Sequence, residues 1–296
     1  MKRIICLVCL FLLLTIGIFA TEPTFETGEY VVSATETINY WLFKPANATQ
    51  NMPLIVYLHG GSGKGNDINT LTANGFCMWV SEGRFDDTPA YIIFPQLSTD
   101  YNGWAGNKTN VRGLITSVVK EYSIDKEKIS LVGHSMGGTG AFSLAAAYPT
   151  LFSRVMPMSG SITNNERNIA ALSQLQVWAI VGAKDTIVSP DSTIEFIAAL
   201  QEARADAKIT ILEEATHFTV PEEAFLSDDL DVVGWLIERK KETEPKEPEV
   251  VFTFKDVLEV LHHCVNGGDD AKYDYNNDGE VTLRDILFVL KKVVEG

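Results

Sequence analysis

Residues 40–238 alternate short apolar runs with stretches of helical periodicity, and few folds accommodate that pattern. The runs 53–58, 90–94, 128–132, 154–158, 177–181 and 208–212 have the length and β-branched content of buried strands. Between them, 111–122, 139–148 and 193–204 repeat apolar residues at helical spacing. A strand that is apolar throughout needs cover on both faces, and parallel neighbours need a long crossover, usually a helix. The expectation is therefore an α/β protein with a largely parallel sheet between two helical layers. Two earlier runs, 30–32 and 38–43, would add antiparallel strands at one edge. Ligands of such sheets gather at the carboxyl ends of the strands.

One of those ends carries Gly133-His134-Ser135-Met136-Gly137, directly after the run 128–132 and at the start of the next helix. A serine on a tight strand-to-helix turn flanked by glycines has its hydroxyl lifted clear of the sheet. A free serine hydroxyl is a poor nucleophile, so Ser135 needs a base and an acid to orient that base. In sheets of this kind the chain order is serine, then Asp or Glu, then histidine. Of five histidines, His59 and His134 precede Ser135, and His262 and His263 lie in a C-terminal repeat, which leaves His217. Asp185 follows the run 177–181 and is the preferred acid; its rivals Asp191 and Glu195 fall at or inside the next helix. An oxyanion needs two backbone N–H donors. Met136, following the nucleophile, supplies one, and the loop His59-Gly60-Gly61-Ser62-Gly63 supplies the other through Gly61, with Ser62 as the alternative.

These motifs, with Leu58-His-Gly-Gly, Phe94-Pro-Gln and Ile124-Asp-Lys-Glu-Lys-Ile129, resemble those of α/β-hydrolase carbohydrate esterases. More narrowly, residues 40–238 are similar to secreted feruloyl-esterase-like and prolyl-oligopeptidase-type hydrolases. The resemblance implies an acyl-enzyme esterase acting on acyl groups of plant cell-wall polysaccharide. A serine peptidase and a non-catalytic binding protein on the same scaffold are the competing readings. No long insertion separates the runs 154–158 and 177–181, so an open site is expected. Trp104 would be an aromatic wall for a phenolic acyl group, or else packing beneath its loop.

The 296 residues hold 24 Lys+Arg against 39 Asp+Glu, a formal net charge of −15, and no local basic stripe. Nucleic acid is therefore excluded as a partner. Met1-Lys2-Arg3, the apolar stretch 4–19 and Ala20 read as a secretory leader over 1–20. Export without membrane attachment after cleavage follows, against the competing reading of an N-terminal anchor. Only Cys77 and Cys264 remain beyond the leader, and isolated thiols are expected.

The hydrolase region spans 21–238. Residues 239–249 are charged and proline-bearing and read as a linker to a module over 250–296. Within that module, 252–267 matches 281–296 at a constant offset of 29 residues. Asp274, Asn276, Asp278, Thr282 and Asp285 occupy positions 1, 3, 5, 9 and 12 of a calcium loop, with Gly279 at 6 and the Glu280 carbonyl at 7. The first copy keeps only Asp256 among these positions, so one Ca²⁺ site is expected and not two. A duplicated calcium loop and helix behind such an esterase resembles a dockerin. That resemblance implies calcium-dependent docking to a cohesin on a scaffold protein; a calcium-stabilised module with no scaffold partner is the alternative.

Overall fold

The computed structural model describes residues 21–238, 254–266, 271–275 and 281–295. The expected leader and linker lie outside the described residues. The chain divides into two compact units, Met1–Lys240 and Lys241–Gly296.

The first unit is built on one eight-stranded sheet. Its strands are β1 (Thr24–Ser33), β2 (Glu36–Lys44), β3 (Leu54–Leu58), β4 (Tyr91–Pro95), β5 (Ile129–His134), β6 (Arg154–Met158), β7 (Gln176–Gly182) and β8 (Ala207–Leu212). Their spatial order is β1-β2-β4-β3-β5-β6-β7-β8. β1 and β2 form an antiparallel pair that joins β4 antiparallel, and from β4 to β8 every pairing is parallel. The helices are α1 (Gly75–Ser81), α2 (Lys108–Glu121), α3 (Met136–Ala147), α4 (Glu166–Leu172), α5 (Asp191–Glu202), α6 (Val220–Phe225) and α7 (Val232–Ile237).

Side-chain alternation along each strand divides the interior into two cores. In β3, Leu54, Val56 and Leu58 face a core shared with α2, α3, α4 and α5. Ile55 and Tyr57 face the other, with α1, α6 and α7. β7 repeats the division, with Val177 and Ala179 on the first side and Trp178 and Ile180 on the second. All five residues of β3 are buried, and each large apolar side chain so placed stabilises the fold by about 1.5–3 kcal/mol. At the amino end of β6 the buried Arg154 donates to the Trp235 carbonyl at 2.7 Å and to Glu238 at 2.8 Å, which ties α7 to the sheet. The short connection from β6 to β7 contains only α4 as regular structure, consistent with the open site expected there.

In the second unit, α8 (Phe254–Asn266) and α9 (Leu283–Glu295) pack on each other. Val260 and Val289, equivalent across the 29-residue repeat, are both fully buried. Cys77 and Cys264 are free thiols.

Candidate active site

β5 lies inside the sheet between β3 and β6, and the chain leaves it through Ser135, whose φ of 58° and ψ of −119° are unusual for a residue with a side chain. The turn is held by Ser135 N–H donating to Met158 O at 2.9 Å and Thr139 N–H donating to Ser135 O at 3.0 Å. Its flanking glycines are needed for close approach. A Cβ on Gly133 would lie 2.4 Å from Gly137 O, and one on Gly137 would lie 1.9 Å from Leu58 O. The sequence thus folds locally to drive the serine out above the sheet.

His217, in the loop between β8 and α6, places Nε2 2.8 Å from Ser135 Oγ and Nδ1 2.7 Å from Asp185 Oδ2. Asp185 follows β7, is 7% exposed, and accepts from the Ile187 and Val188 N–H groups through Oδ1, each at 2.9 Å. Burial pushes its carboxyl up, but hydrogen bonds from Val188, His217 and Ile187 outweigh burial and hold it below the ordinary carboxylate value. An ionised Asp185 requires the proton on His217 Nδ1, which leaves Nε2 as an acceptor for the serine hydroxyl. Asp191 and Glu195 are exposed on α5; Asp191 accepts from Ser189 instead.

Met136 begins α3, and Gly61 begins a short 3₁₀ turn, Gly61–Gly63. As first residues of helices, both keep N–H groups with no intrahelical acceptor. The glycine loop abuts the nucleophile: a Cβ on Gly60 would lie 3.5 Å from Ser135 Cβ. Two further histidines support this constellation. His59 Nε2 accepts from Leu97 N–H at 3.0 Å and its Nδ1–H donates to Gly60 O at 2.6 Å. His134 Nε2–H donates to the main-chain carbonyl of His217 at 2.7 Å. Burial lowers both imidazoles to about 4, so both are neutral at ordinary pH. His134 stands inside the serine motif, but its bond to a residue 83 positions away has no sequence signal.

The expectation of Trp104 as a substrate wall is corrected. Its ring is 2% exposed, its indole N–H donates to His59 O at 3.0 Å, and it packs beneath the glycine loop against His59. The cleft around Ser135 has a volume of about 880 Å³ and is lined on its buried side by Tyr57, Leu71, Trp79 and Phe94. Ile187 and Phe218 line it as exposed residues.

Of the calcium residues, Asn276, Asp278 and Glu280 lie outside the described residues. Asp274 is half-buried, and Asp285 is fully buried with Oδ2 accepting from Thr282 N–H at 2.8 Å.

Comparisons with known proteins supply the family and the fold. The Esterase family model, described as "Putative esterase", matches residues 35–219, more than half of the chain. Acetylxylan esterase A of Aspergillus oryzae is 25% identical over 130 residues, 42% of this chain and 42% of that protein. The chain thus matches less than half the length of that curated relative. A thermostable esterase superposes with a TM-score of 0.63 at 20% identity, over 73% of this chain and 63% of that one. The feruloyl esterase module from Clostridium thermocellum, solved with sinapinate, gives a TM-score of 0.53 at 15% identity, over 67% and 83%. The structural likeness shows the fold, that of the α/β-hydrolases.

Proposed function

The chain belongs to the Esterase family, and we propose that it is a serine carboxylic ester hydrolase that removes acetyl or feruloyl groups from plant cell-wall polysaccharide. The reading is carried by the hydrogen-bonded chain from Ser135 Oγ through His217 to Asp185, at 2.8 and 2.7 Å. The named activities of the Aspergillus relative and the Clostridium module support the substrate class.

Ser135 Oγ attacks the ester carbonyl as its proton passes to His217 Nε2. Asp185 stays ionised and stabilises the imidazolium. The N–H groups of Gly61 and Met136 receive the oxyanion. Collapse breaks the carbon–oxygen bond to the alcohol, which takes the proton from Nε2. Water, deprotonated by the same nitrogen, then attacks the acyl-enzyme and releases the acid and the serine hydroxyl.

Ser135→Ala is expected to lower turnover by about 10⁶, and a fluorophosphonate probe should label the wild type at Ser135 alone. A variant that keeps near-wild-type ester hydrolysis, or a wild type that resists the probe, would defeat the assignment. Peptide amides cleaved as fast as acetyl or feruloyl sugar esters would indicate the peptidase reading.

For the C-terminal unit, the reading is a dockerin-like module in which Asp274, Asn276, Asp278, the Glu280 carbonyl and Asp285 would hold one structural Ca²⁺. The repeat and its paired helices support it. The partner would be a cohesin-type scaffold protein, and the leader over 1–20 would deliver the enzyme outside the cell.

A further inference from the structure

Large apolar side chains exposed on a soluble surface are unremarkable singly and informative when they gather at a cleft. Among residues 21–238, four are exposed: Val31, Ile187, Ile211 and Phe218, the last at 77%. Two of the four, Ile187 and Phe218, line the cleft that holds Ser135. Each is placed by the triad itself. Ile187 lies two residues after Asp185 and gives its N–H to that carboxylate. Phe218 follows His217 and sets its ring perpendicular to the imidazole, with centroids 5.3 Å apart. Asp185 and His217 are hydrogen-bonded to each other, so these two exposed, cleft-lining residues belong to the loops that carry the two partners of one catalytic hydrogen bond.

We infer that Ile187 and Phe218 form an apolar platform for the sugar ring that bears the scissile ester. This inference rests on the polysaccharide-esterase reading above and concerns its alcohol half. When the acyl-enzyme forms, the departing oxygen must lie within hydrogen-bond reach of His217 Nε2 to receive its proton. The alcohol half of the ester is therefore on the His217 side of the cleft, beside Phe218. The acyl half turns toward the glycine loop and the buried wall of Tyr57, Leu71, Trp79 and Phe94. A sugar ring presents an apolar C–H face and a polar rim. The aromatic face of Phe218 complements the first, and Glu222, which also lines the cleft, offers a carboxylate acceptor for the second. Leaving so much apolar surface in water is unfavourable in the free enzyme, and the substrate ring would cover it.

The test compares wild type, Phe218→Ala, Ile187→Ala and Phe218→Trp on acetylated xylo-oligosaccharide and on p-nitrophenyl acetate, whose leaving group is a small planar phenol. For Phe218→Ala, kcat/KM should fall about ten-fold further on the oligosaccharide than on p-nitrophenyl acetate, mainly through KM. Ile187→Ala should shift the same ratio in the same direction, and Phe218→Trp should keep it. Parallel losses on both substrates would overturn the platform, because they would indicate displacement of His217 alone. An unchanged ratio would overturn it as well. A wild type active on p-nitrophenyl acetate but inert on every sugar ester would fail the underlying reading. If that enzyme eroded polyester particles in a Phe218-dependent way, the patch would belong to an apolar polymer and the sugar platform would be rejected.

Discussion

His134 holds the main-chain carbonyl of the very residue whose ring must meet Ser135, so it acts on catalysis by position alone. Replacing it by Phe should cut kcat by about 10–100-fold with a smaller change in KM, because displacements near 1 Å in a reacting constellation cost about 10². Gln keeps an N–H that reaches the same carbonyl, and His134→Gln should recover most of the loss in a kcat and KM comparison. Equal damage from both substitutions would show that His134 only fills space. At this scale Ser135 was legible from its glycines, and His217 from the exclusion of four other histidines. The work of His134 and His59 was not, since their partners are brought to them by the fold. Trp104 misled for a related reason. An aromatic in a loop near a site looks available, yet the chain gave its N–H an acceptor at His59 O and buried the ring.

Among the elements, the strands expected within the parallel sheet are those found, with ends shifted by a residue or two, because buried runs there are continuous and β-branched. The edge strand β1 instead begins six residues before the expected run 30–32, since its alternating exposure leaves no continuous apolar signal. The short helices α1, α4, α6 and α7, of six or seven residues, escaped sequence reading because two turns cannot display a period of 3.6. In the C-terminal unit the repeat gains a local cause. Thr282 and Asp285 form a reciprocal cap at the start of α9: Arg284 N–H donates to Thr282 Oγ1 at 3.2 Å, and Thr282 N–H donates to Asp285. Asp256 stands at the equivalent position in the first turn of α8, where a carboxylate is favourable beside the helix N-terminus without any metal. That distinction sharpens the calcium prediction. Calorimetric titration of the full chain should saturate at one Ca²⁺, and chelator should reduce helicity in the far-ultraviolet. Two equivalent sites, or helicity indifferent to chelator, would contradict it.

For the whole molecule, charge and pH act through buried imidazoles. Residues 21–238 carry 13 Lys+Arg against 26 Asp+Glu, yet His59 and His134 remain neutral because burial brings them to about 4. In the unfolded chain they titrate near 6.5. Between pH 6.5 and 4 the unfolded state binds protons that the fold refuses, so stability falls as pH drops through that window, by at most about 3 kcal/mol per histidine. Asp185, held low in the fold, keeps its contribution until the pH passes below the ordinary carboxylate range. Urea midpoints should therefore decline from pH 7 to pH 4.5, and His134→Gln should flatten the slope. A midpoint that rises on acidification, with no effect of that substitution, would mean the imidazoles are charged in the fold.

The parallel ladder from β5 through β6 and β7 to β8 also has a metrological side. Ser135, Asp185 and His217 leave three different strands of it, so their mutual distances are a vernier reading of its register. A slip of one residue in β8 would carry the chain about 3.3 Å along and turn its side chains to the opposite face. Hydrogen bonds of 2.7 and 2.8 Å cannot survive that offset. Turnover therefore certifies the alignment of half the sheet at once, which makes ester hydrolysis a reporter of correct folding that needs no spectroscopic label.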